Sequence, residues 1–257
     1  MVDHGILGAA DQGRAMADQR TRRKYLLILL GVVLAVGVWA AVAPADRPTW
    51  VLENALFVLG LAILLVSSRW LPLSRVSYTL VAIFMCLHEV GAHYMYANVP
   101  YDSWCQSLFG FSLDAACGFE RNMYDRFVHF AYGLLLAYPL REVVLRVADV
   151  KGFWGYFLPL DVTMSTSMLY ELIEWGASLV FGENTGMAYL GTQGDPWDSH
   201  KDMALASLGA LLAMLVTALI NWRTQRDFGR EWALSLKVHH PQPLGEEALA
   251  RRARHAK

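Results

Sequence analysis

Long apolar stretches separated by short charged blocks dominate the chain from residue 25 onward. Residues 25–45 contain no charged side chain. The hydrocarbon core of a membrane, about 30 Å thick, needs roughly 20 apolar residues in helical form. Because the run is longer than the roughly 7–15 apolar residues of a signal peptide, we predict a first transmembrane helix that is retained.

Further apolar stretches complete a predicted bundle of about six transmembrane helices. The predicted spans are 25–45, 50–67, 76–97, 125–146, one helix within 153–181, and 200–221. The fifth helix has two candidate starts, Trp154 or residue 162 with Asp161 as its N-cap. A short interfacial helix is predicted at 227–238 in the tail. The sequence therefore predicts an all-α polytopic membrane protein.

Lysine and arginine residues are concentrated on alternate sides of the predicted spans. Twelve lie just before the first span, in the loops after spans two and four, and in the tail, against four on the other side. Cytoplasmic loops carry the excess of these residues, so both termini are predicted to be cytoplasmic. This divides the chain into a cytoplasmic segment (1–24), a transmembrane domain (25–222) and a cytoplasmic tail (223–257), with loops 98–124 and 182–199 facing outward.

The composition agrees with a bilayer as the main partner. Hydrophobic residues make up 55% of the chain and charged residues 18%, whereas soluble domains are about 25% charged. The net charge of −1 gives no basic field for nucleic acid. Cys86 is interpreted as a buried hydrophobe. Cys105 and Cys117 share an outward loop, as a disulfide or as two free thiols, and both alternatives stay open.

Polar side chains occur at the outward end of four predicted spans. Such groups are costly in lipid and usually face a bundle interior or a wet cavity, so we predict one pocket in the outer half of the membrane. Glu53, near the start of the second span, is expected at interface depth. The converging residues are His88, Glu89, His93, Tyr94, Asp125, Arg126, His129, Tyr170, Glu171, Glu174, Asp195, Asp198, His200 and Asp202.

Helical spacing favours shared faces for several of these residues, because side chains three or four positions apart are neighbours on a helix. His88 and His93 are five apart, which puts them about 140° from each other on an ideal helix. The segment H-E-V-G-A-H therefore does not match the H-E-x-x-H of zinc proteases. The pairs that do share a face are Glu89 and His93, Asp125 and His129, Glu171 and Glu174, and Asp198 and Asp202.

Three interpretations of the predicted pocket remain open. Mixed imidazole and carboxylate ligands suit zinc, iron or manganese. A metal-free site would bind an anionic head group through Arg121, Arg126 and protonated histidines. In the third interpretation, ion pairs and hydrogen bonds merely hold the helices together. Asp198 is also interpretable as a helix cap.

Four motifs resemble the YjdF-like family of bacterial inner-membrane proteins. They are L-H-E-V-G-A-H-Y-M-Y-A, E-R-N-M-Y-D-R-F-V-H-F, L-Y-E-L-I-E-W and L-G-T-Q-G-D-P-W-D-S-H-K-D-M, within residues 50–220. Asp125-Arg126-x-x-His129-Phe130 and the Asp-rich entry to the sixth span look more distantly like VanZ-type membrane proteins. The resemblance implies a membrane topology but no established reaction. The matching positions are His88, His93, Tyr94, Asn122, Asp125, Arg126, His129, Glu171, Glu174, Asp195, Asp198 and Asp202, with Glu89 and His200 less typical.

The leading functional hypothesis is an inner-membrane enzyme that acts on a lipid or lipid-linked head group with a divalent metal. In it, His88, His93, His129 and Glu171 are metal ligands, and Asp125, Arg126, Glu174 and Asp198 are catalytic. Tyr94, Asn122, Asp195 and Asp202 are further site residues. The alternatives are a transporter that uses the same residues for proton or ion coupling, and a structural network without catalysis. A homo-oligomer is compatible with each of these.

Overall fold

The computed structural model describes residues 4–181, 192–238 and 245, and this part of the chain is helical without strands. The prediction of an all-α membrane protein is confirmed. At each end of the bundle, short segments connect the ends of successive helices. The helices are α1 (His4–Ala41), α2 (Arg47–Ser67), α3 (Arg75–Tyr94), α4 (Tyr101–Phe109), α5 (Leu113–Cys117), α6 (Tyr124–Val147), α7 (Trp154–Phe181), α8 (Asp198–Thr224) and α9 (Phe228–Ser235).

Five helices of the described part are long and apolar enough to cross a membrane: α1 over Gln19–Ala41, α2, α3, α6 and α8. Helix α7 has 28 residues, which is more than the roughly 20 that a crossing needs, but Asp161, Glu171 and Glu174 make it less apolar. A sixth crossing and two cytoplasmic termini therefore stay predictions.

The helix boundaries refine the sequence-based assignment. Helix α7 begins at Trp154, the earlier of its two candidate starts, and contains both Pro159 and Asp161. The predicted interfacial helix in the tail corresponds to α9. Helices α4 and α5, which were not predicted, lie in the loop after α3. Cys105 and Cys117, in these two helices, are free thiols, and so is Cys86.

The closest packing in the bundle is the contact between α6 and α8. A Cβ on Gly133 would lie 1.9 Å from the carbonyl oxygen of Ala206, and one on Gly209 would lie 2.2 Å from that of Phe130. Glycine therefore permits the two backbones to touch, as small residues commonly do between membrane helices. Arg126 in the first turn of α6 lies 3.1 Å from Asp198, the first residue of α8, and Ala137 packs with Ala210 and Ala213 further along both helices. Helices α6 and α8 therefore run parallel with their first turns level.

Helix α3 connects this pair to α1 and α2. At one end, the Tyr124 hydroxyl donates to the Leu87 carbonyl (2.9 Å), and at the other end the Ser77 hydroxyl donates to Glu142 (2.6 Å). Helices α3 and α6 are therefore antiparallel. Helix α1 runs parallel to α3, with Val33 packed near Ala82 and Met85. The ends that carry the predicted pocket thus gather at one end of the bundle.

We expect Gly209→Ala to destabilise the protein, because the new methyl group would overlap the α6 backbone. Overpacking of this kind costs about 1–3 kcal/mol, and a fall in melting temperature in detergent would show it. Gly31→Ala in α1 is the matched control, since nothing lies within 4 Å of a Cβ there. Equal melting temperatures for the two variants would contradict the close crossing.

Candidate functional site

Four side chains from three helices meet near the end of the bundle that the topology prediction assigns to the outer surface, called the outer end below. They are Asp125 and His129 of α6, Glu171 of α7 and Asp202 of α8. Donor atoms of Asp125, His129 and Asp202 all lie within 4.8 Å of one another. His129 Nε2 is 3.7 Å from Asp125 Oδ1 and 3.6 Å from Glu171 Oε1. We call these four residues the acidic cluster.

The acidic cluster follows from the crossing of α6 and α8. Because these helices run parallel with level first turns, Asp125 and Asp202 lie at a similar depth, about two turns before Gly133 and Gly209, and His129 lies one turn closer to Gly133. The spacing of four residues between Asp125 and His129 puts both on one face of α6. Helix α7 packs on both α6 and α8 and adds Glu171.

Two carboxylates of the acidic cluster are buried, and each has one oxygen atom without a hydrogen-bond partner in the described part of the chain. Asp202 is 2% exposed and Glu171 is 6% exposed. Within the described part of the chain, Asp202 Oδ1 and Glu171 Oε1 have no hydrogen-bond partner. A buried carboxylate is normally paired, bound to a metal or protonated. These two oxygen atoms therefore provide acceptor capacity that a cation or a proton can use.

The donor set fits a divalent cation. Carboxylate oxygens and an imidazole nitrogen are ligands for zinc, iron and manganese. In a tetrahedral site with bonds near 2.1 Å, the ligand atoms lie about 3.4 Å apart. The donor atoms of Asp125, His129 and Asp202 lie within 4.8 Å of one another, so side-chain rotations would bring them together around an ion.

Further acidic groups adjoin the acidic cluster. Glu174 is 8% exposed and lies near Glu53 and Glu171. The Tyr170 hydroxyl donates to Glu53 Oε2 (3.1 Å), and the Tyr170 ring lies edge-on against the ring of His129. Glu53 is 3% exposed and so joins the buried acids beside the acidic cluster, a contact that was not predicted from the sequence. Its signal in the sequence was a single carboxylate within an otherwise apolar span.

A network of ion pairs, here called the rim, lies on the outer side of the acidic cluster. Asp198 accepts from Arg121 Nη1 (2.7 Å) and from Arg126 Nη2 (3.1 Å). Asp195 binds Arg126 and accepts from Lys201 Nζ (2.6 Å). Arg126, predicted to bind an anion, binds the carboxylates of Asp195 and Asp198 in this structure.

Asp195 lies in the loop before α8, outside the membrane-spanning segments. The hydrogen bond from Lys201, the backbone N–H of Trp197 and the Arg126 guanidinium together lower the pKa of Asp195 to about 2. The carboxylate therefore stays ionised at neutral pH. It connects the loop before α8 to the first turns of both α6 and α8.

His88 lies beside the acidic cluster but interacts with different groups. Its Nδ1 atom hydrogen-bonds the Tyr96 hydroxyl (2.6 Å), and its ring stacks on that of Phe57. Nε2 of His88 is buried and lacks a hydrogen-bond partner among the described residues. His88, Asp125 and His129 line a common cavity, so His88 adjoins the predicted site without joining the other proposed ligands.

The structure does not bring His93 and Tyr94 into the acidic cluster. His93 Nδ1 donates to the Ala40 carbonyl (3.0 Å), and the His93 ring packs at a tilt against the ring of Trp39 in α1. Tyr94 also packs against Trp39. The cause is helical geometry, since α3 stays regular to Tyr94. Side chains five positions apart then point in different directions.

Asn122, Glu89 and His200 also lie outside the acidic cluster. The Asn122 side chain donates to the Val99 carbonyl (2.8 Å) and accepts from the backbone N–H of Tyr124 (3.0 Å), which stabilises the entry to α6. Glu89 is fully buried next to Gly37 of α1. His200 is exposed and packs on Trp197.

A cavity of about 480 Å³ extends from the acidic cluster towards the opposite end of the bundle. Helices α2, α3, α6 and α7 form its walls. At the outer end it is lined by polar residues that include Asp125, His129 and Tyr170. Apolar residues, among them Leu64 and Val143, form most of the remaining wall.

These features define an integral membrane protein of bundled helices with a buried carboxylate and histidine centre at one end. The family model described as "Predicted membrane protein (DUF2238)" matches residues 25–223, and the chain belongs to this family. The match spans the acidic cluster, the rim and the cavity. The more distant likeness to VanZ-type proteins stays an expectation.

A relative with a stated location supports the inner membrane. The chain is 36% identical over 212 residues to "Inner membrane protein YjdF" of Escherichia coli (strain K12). The aligned region covers 82% of this chain and 97% of that protein. No solved structure matches the chain. The protein is therefore an inner-membrane protein of the YjdF-like family.

We expect Asp195→Asn to lower the melting temperature at pH 7, because the rim loses a carboxylate. The pKa of Asp195 falls on folding from its usual 3.8 to about 2, so its contribution is complete above about pH 4 and is lost as the pH falls towards 2. The difference between the native protein and the variant should shrink over that interval. A difference that stays constant from pH 7 to pH 2 would contradict this role.

Proposed function

We propose that this protein is a divalent-metal-dependent enzyme of the cell envelope that acts on the head group of a lipid or lipid-linked molecule. The observation that carries the proposal is the acidic cluster, in which the buried carboxylates of Glu171 and Asp202 and the partly buried carboxylate of Asp125 gather around one imidazole. A bound zinc, iron or manganese ion would polarise a substrate oxygen and supply an activated water.

The charges around the acidic cluster support a cation as its partner. Arg121, Arg126 and Lys201 bind Asp195 and Asp198 in the rim. No described ion pair joins an arginine or lysine to the cluster acids Asp125, Glu171 and Asp202, and Asp125 and Glu171 lie near His129. The neighbouring Glu53 and Glu174 also lack such an ion pair in the described contacts. A metal ion would supply the positive charge that buried carboxylates require.

The depth of the acidic cluster supports a head group as the reacting part of the substrate. Asp125 is the second residue of α6, and Asp202 is the fifth residue of α8. With a rise of about 1.5 Å per residue, both lie within about 6 Å of the ends of helices that are long enough to cross the membrane. Lipid head groups occupy this level of a bilayer.

We assign different roles to the residues of the site. Asp125, His129 and Asp202 would hold the metal ion, with Glu171 as a fourth ligand. Glu174, buried beside Glu171, would accept the proton of the attacking water, as a general base must lie within reach of it. The rim would fix the first turns of α6 and α8, and so the distance between their ligands.

A proton-coupled transporter is less well supported by the same contacts. A proton relay needs titratable groups along the whole route through the membrane. Among the described residues that line the cavity, the acids and histidines occur at the outer end, and the inner wall is apolar. The polar groups therefore suit chemistry at one surface better than passage between two.

We expect the purified protein to contain about one divalent metal ion per chain, measured by elemental mass spectrometry after exhaustive dialysis. Asp202→Asn and Glu171→Gln should each reduce metal affinity by more than the ~10–100-fold typical of outer-shell partners. Asp161→Asn is the matched control, because Asp161 is an exposed carboxylate on the same helix as Glu171. Metal-free native protein, with the same melting temperature in chelator, would reject a metal site.

We also expect the metal-loaded protein to alter a lipid head group when it is reconstituted in vesicles of a bacterial lipid extract. Mass spectrometry of the extracted lipids would reveal a product that is absent with chelator and with Asp202→Asn, whereas Asp161→Asn would retain the activity. Metal binding without any change in the lipids would leave a metal site and reject the enzyme.

A further inference from the structure

The cavity beside the acidic cluster is long and narrow. Its lining on α6 extends from Asp125 to Val143, a distance of about 27 Å at 1.5 Å per helical residue. Asp125 and His129 belong to both the cavity wall and the acidic cluster, so the two spaces are continuous. The cavity therefore connects a reactive centre at the membrane surface with the middle of the bilayer.

The chemistry of the wall selects an apolar occupant. Phe57 and Leu64 of α2, Phe84 of α3, and Leu136 and Val143 of α6 contribute to it. Cavities with such linings do not hold water well. A volume of about 480 Å³ also lies within the roughly 300–1,000 Å³ range of ligand pockets. A hydrocarbon chain meets these requirements.

The loose attachment of α2 gives such a chain a lateral entrance. Helix α2 packs along α3, and its contact with α7 includes the hydrogen bond from Tyr170 to Glu53 at the outer end. Below this bond, Gly60 of α2 has open space around the position of a Cβ. Val58, Leu59 and Ile63 on the same helix are exposed, as expected for a helix in contact with lipid.

We propose that the cavity binds one acyl chain of a membrane glycerolipid, whose head group then lies against the acidic cluster. This inference rests on the proposed function for the head group, whereas binding of the chain rests on the cavity alone. Half of a hydrocarbon core about 30 Å thick gives about 15 Å for the acyl chain of one leaflet. The lining is long enough for such a chain, but too short for an extended long polyprenyl chain.

Photocrosslinking tests the proposal on the intact protein. The protein is reconstituted in vesicles of phosphatidylethanolamine and phosphatidylglycerol that contain a trace of phosphatidylglycerol with a diazirine midway along one acyl chain. After irradiation, we expect crosslinks at Phe57, Leu64 and Leu136 to exceed those at the exposed Leu27 and Ile28 of α1 several-fold. Equal labelling of wall residues and outer-surface residues would overturn the proposal.

Filling the cavity supplies a second measurement. Gly60→Phe should reduce crosslinking at Leu136 several-fold, and the smaller Gly60→Leu should reduce it less. Gly31→Phe is the matched control, because Gly31 also has open space around it but does not line the cavity. Unchanged crosslinking in both Gly60 variants would overturn the proposal. So would stronger competition by a long polyprenyl phosphate than by unlabelled phosphatidylglycerol.

The metal-ligand variant separates this inference from the proposed function. Asp202→Asn should lose metal but retain crosslinking of the cavity wall, because the apolar wall does not depend on the ion. Loss of metal with retained crosslinking would support an independent chain-binding site. If the native protein contains metal but the cavity wall is labelled no more strongly than the outer surface, acyl-chain binding in the cavity is rejected. The proposed metal-dependent enzyme would then stand without it.

Discussion

The close crossing of α6 and α8 sets the position of the polar groups at the outer end of the bundle. Gly133 and Gly209 allow the two backbones to touch, which fixes the relative height of two parallel helices. Asp125 and Asp202 lie about two turns outward of these glycines and reach a similar depth. A sliding of either helix by one turn, about 5.4 Å, would separate these side chains beyond the reach of a shared ion.

Charge is divided unevenly between the two layers of the site. The basic side chains of the rim bind Asp195 and Asp198, so the carboxylates below them have little basic compensation from the chain. Buried charges of one sign repel each other and lose their hydration. In the proposed function, a bound metal ion would supply the positive charge that these carboxylates lack.

Much of the fold and part of the site could be predicted from the sequence. Apolar run lengths gave the main helices, and their alternating directions brought acidic groups of α6, α7 and α8 to one end. Helical spacing predicted that Asp125 and His129 share a face, and it warned that His88 and His93 do not. The pairing of Arg126 with Asp195 could not be predicted, because it joins residues 69 positions apart. Nor could the position of Glu53 beside Tyr170, which depends on how α2 packs against its neighbours.

The low apolarity of α7 has a consequence for how the protein reaches its membrane. A charged residue near the centre of a helix disfavours insertion by about 2.5–3.5 kcal/mol, and α7 contains three carboxylates. Helices α6 and α8 contact α7, where Glu171 and Glu174 are buried. If α7 crosses the membrane as predicted, its insertion therefore gains from the presence of α8, and the carboxylates proposed to bind a metal ion also influence the order of biogenesis.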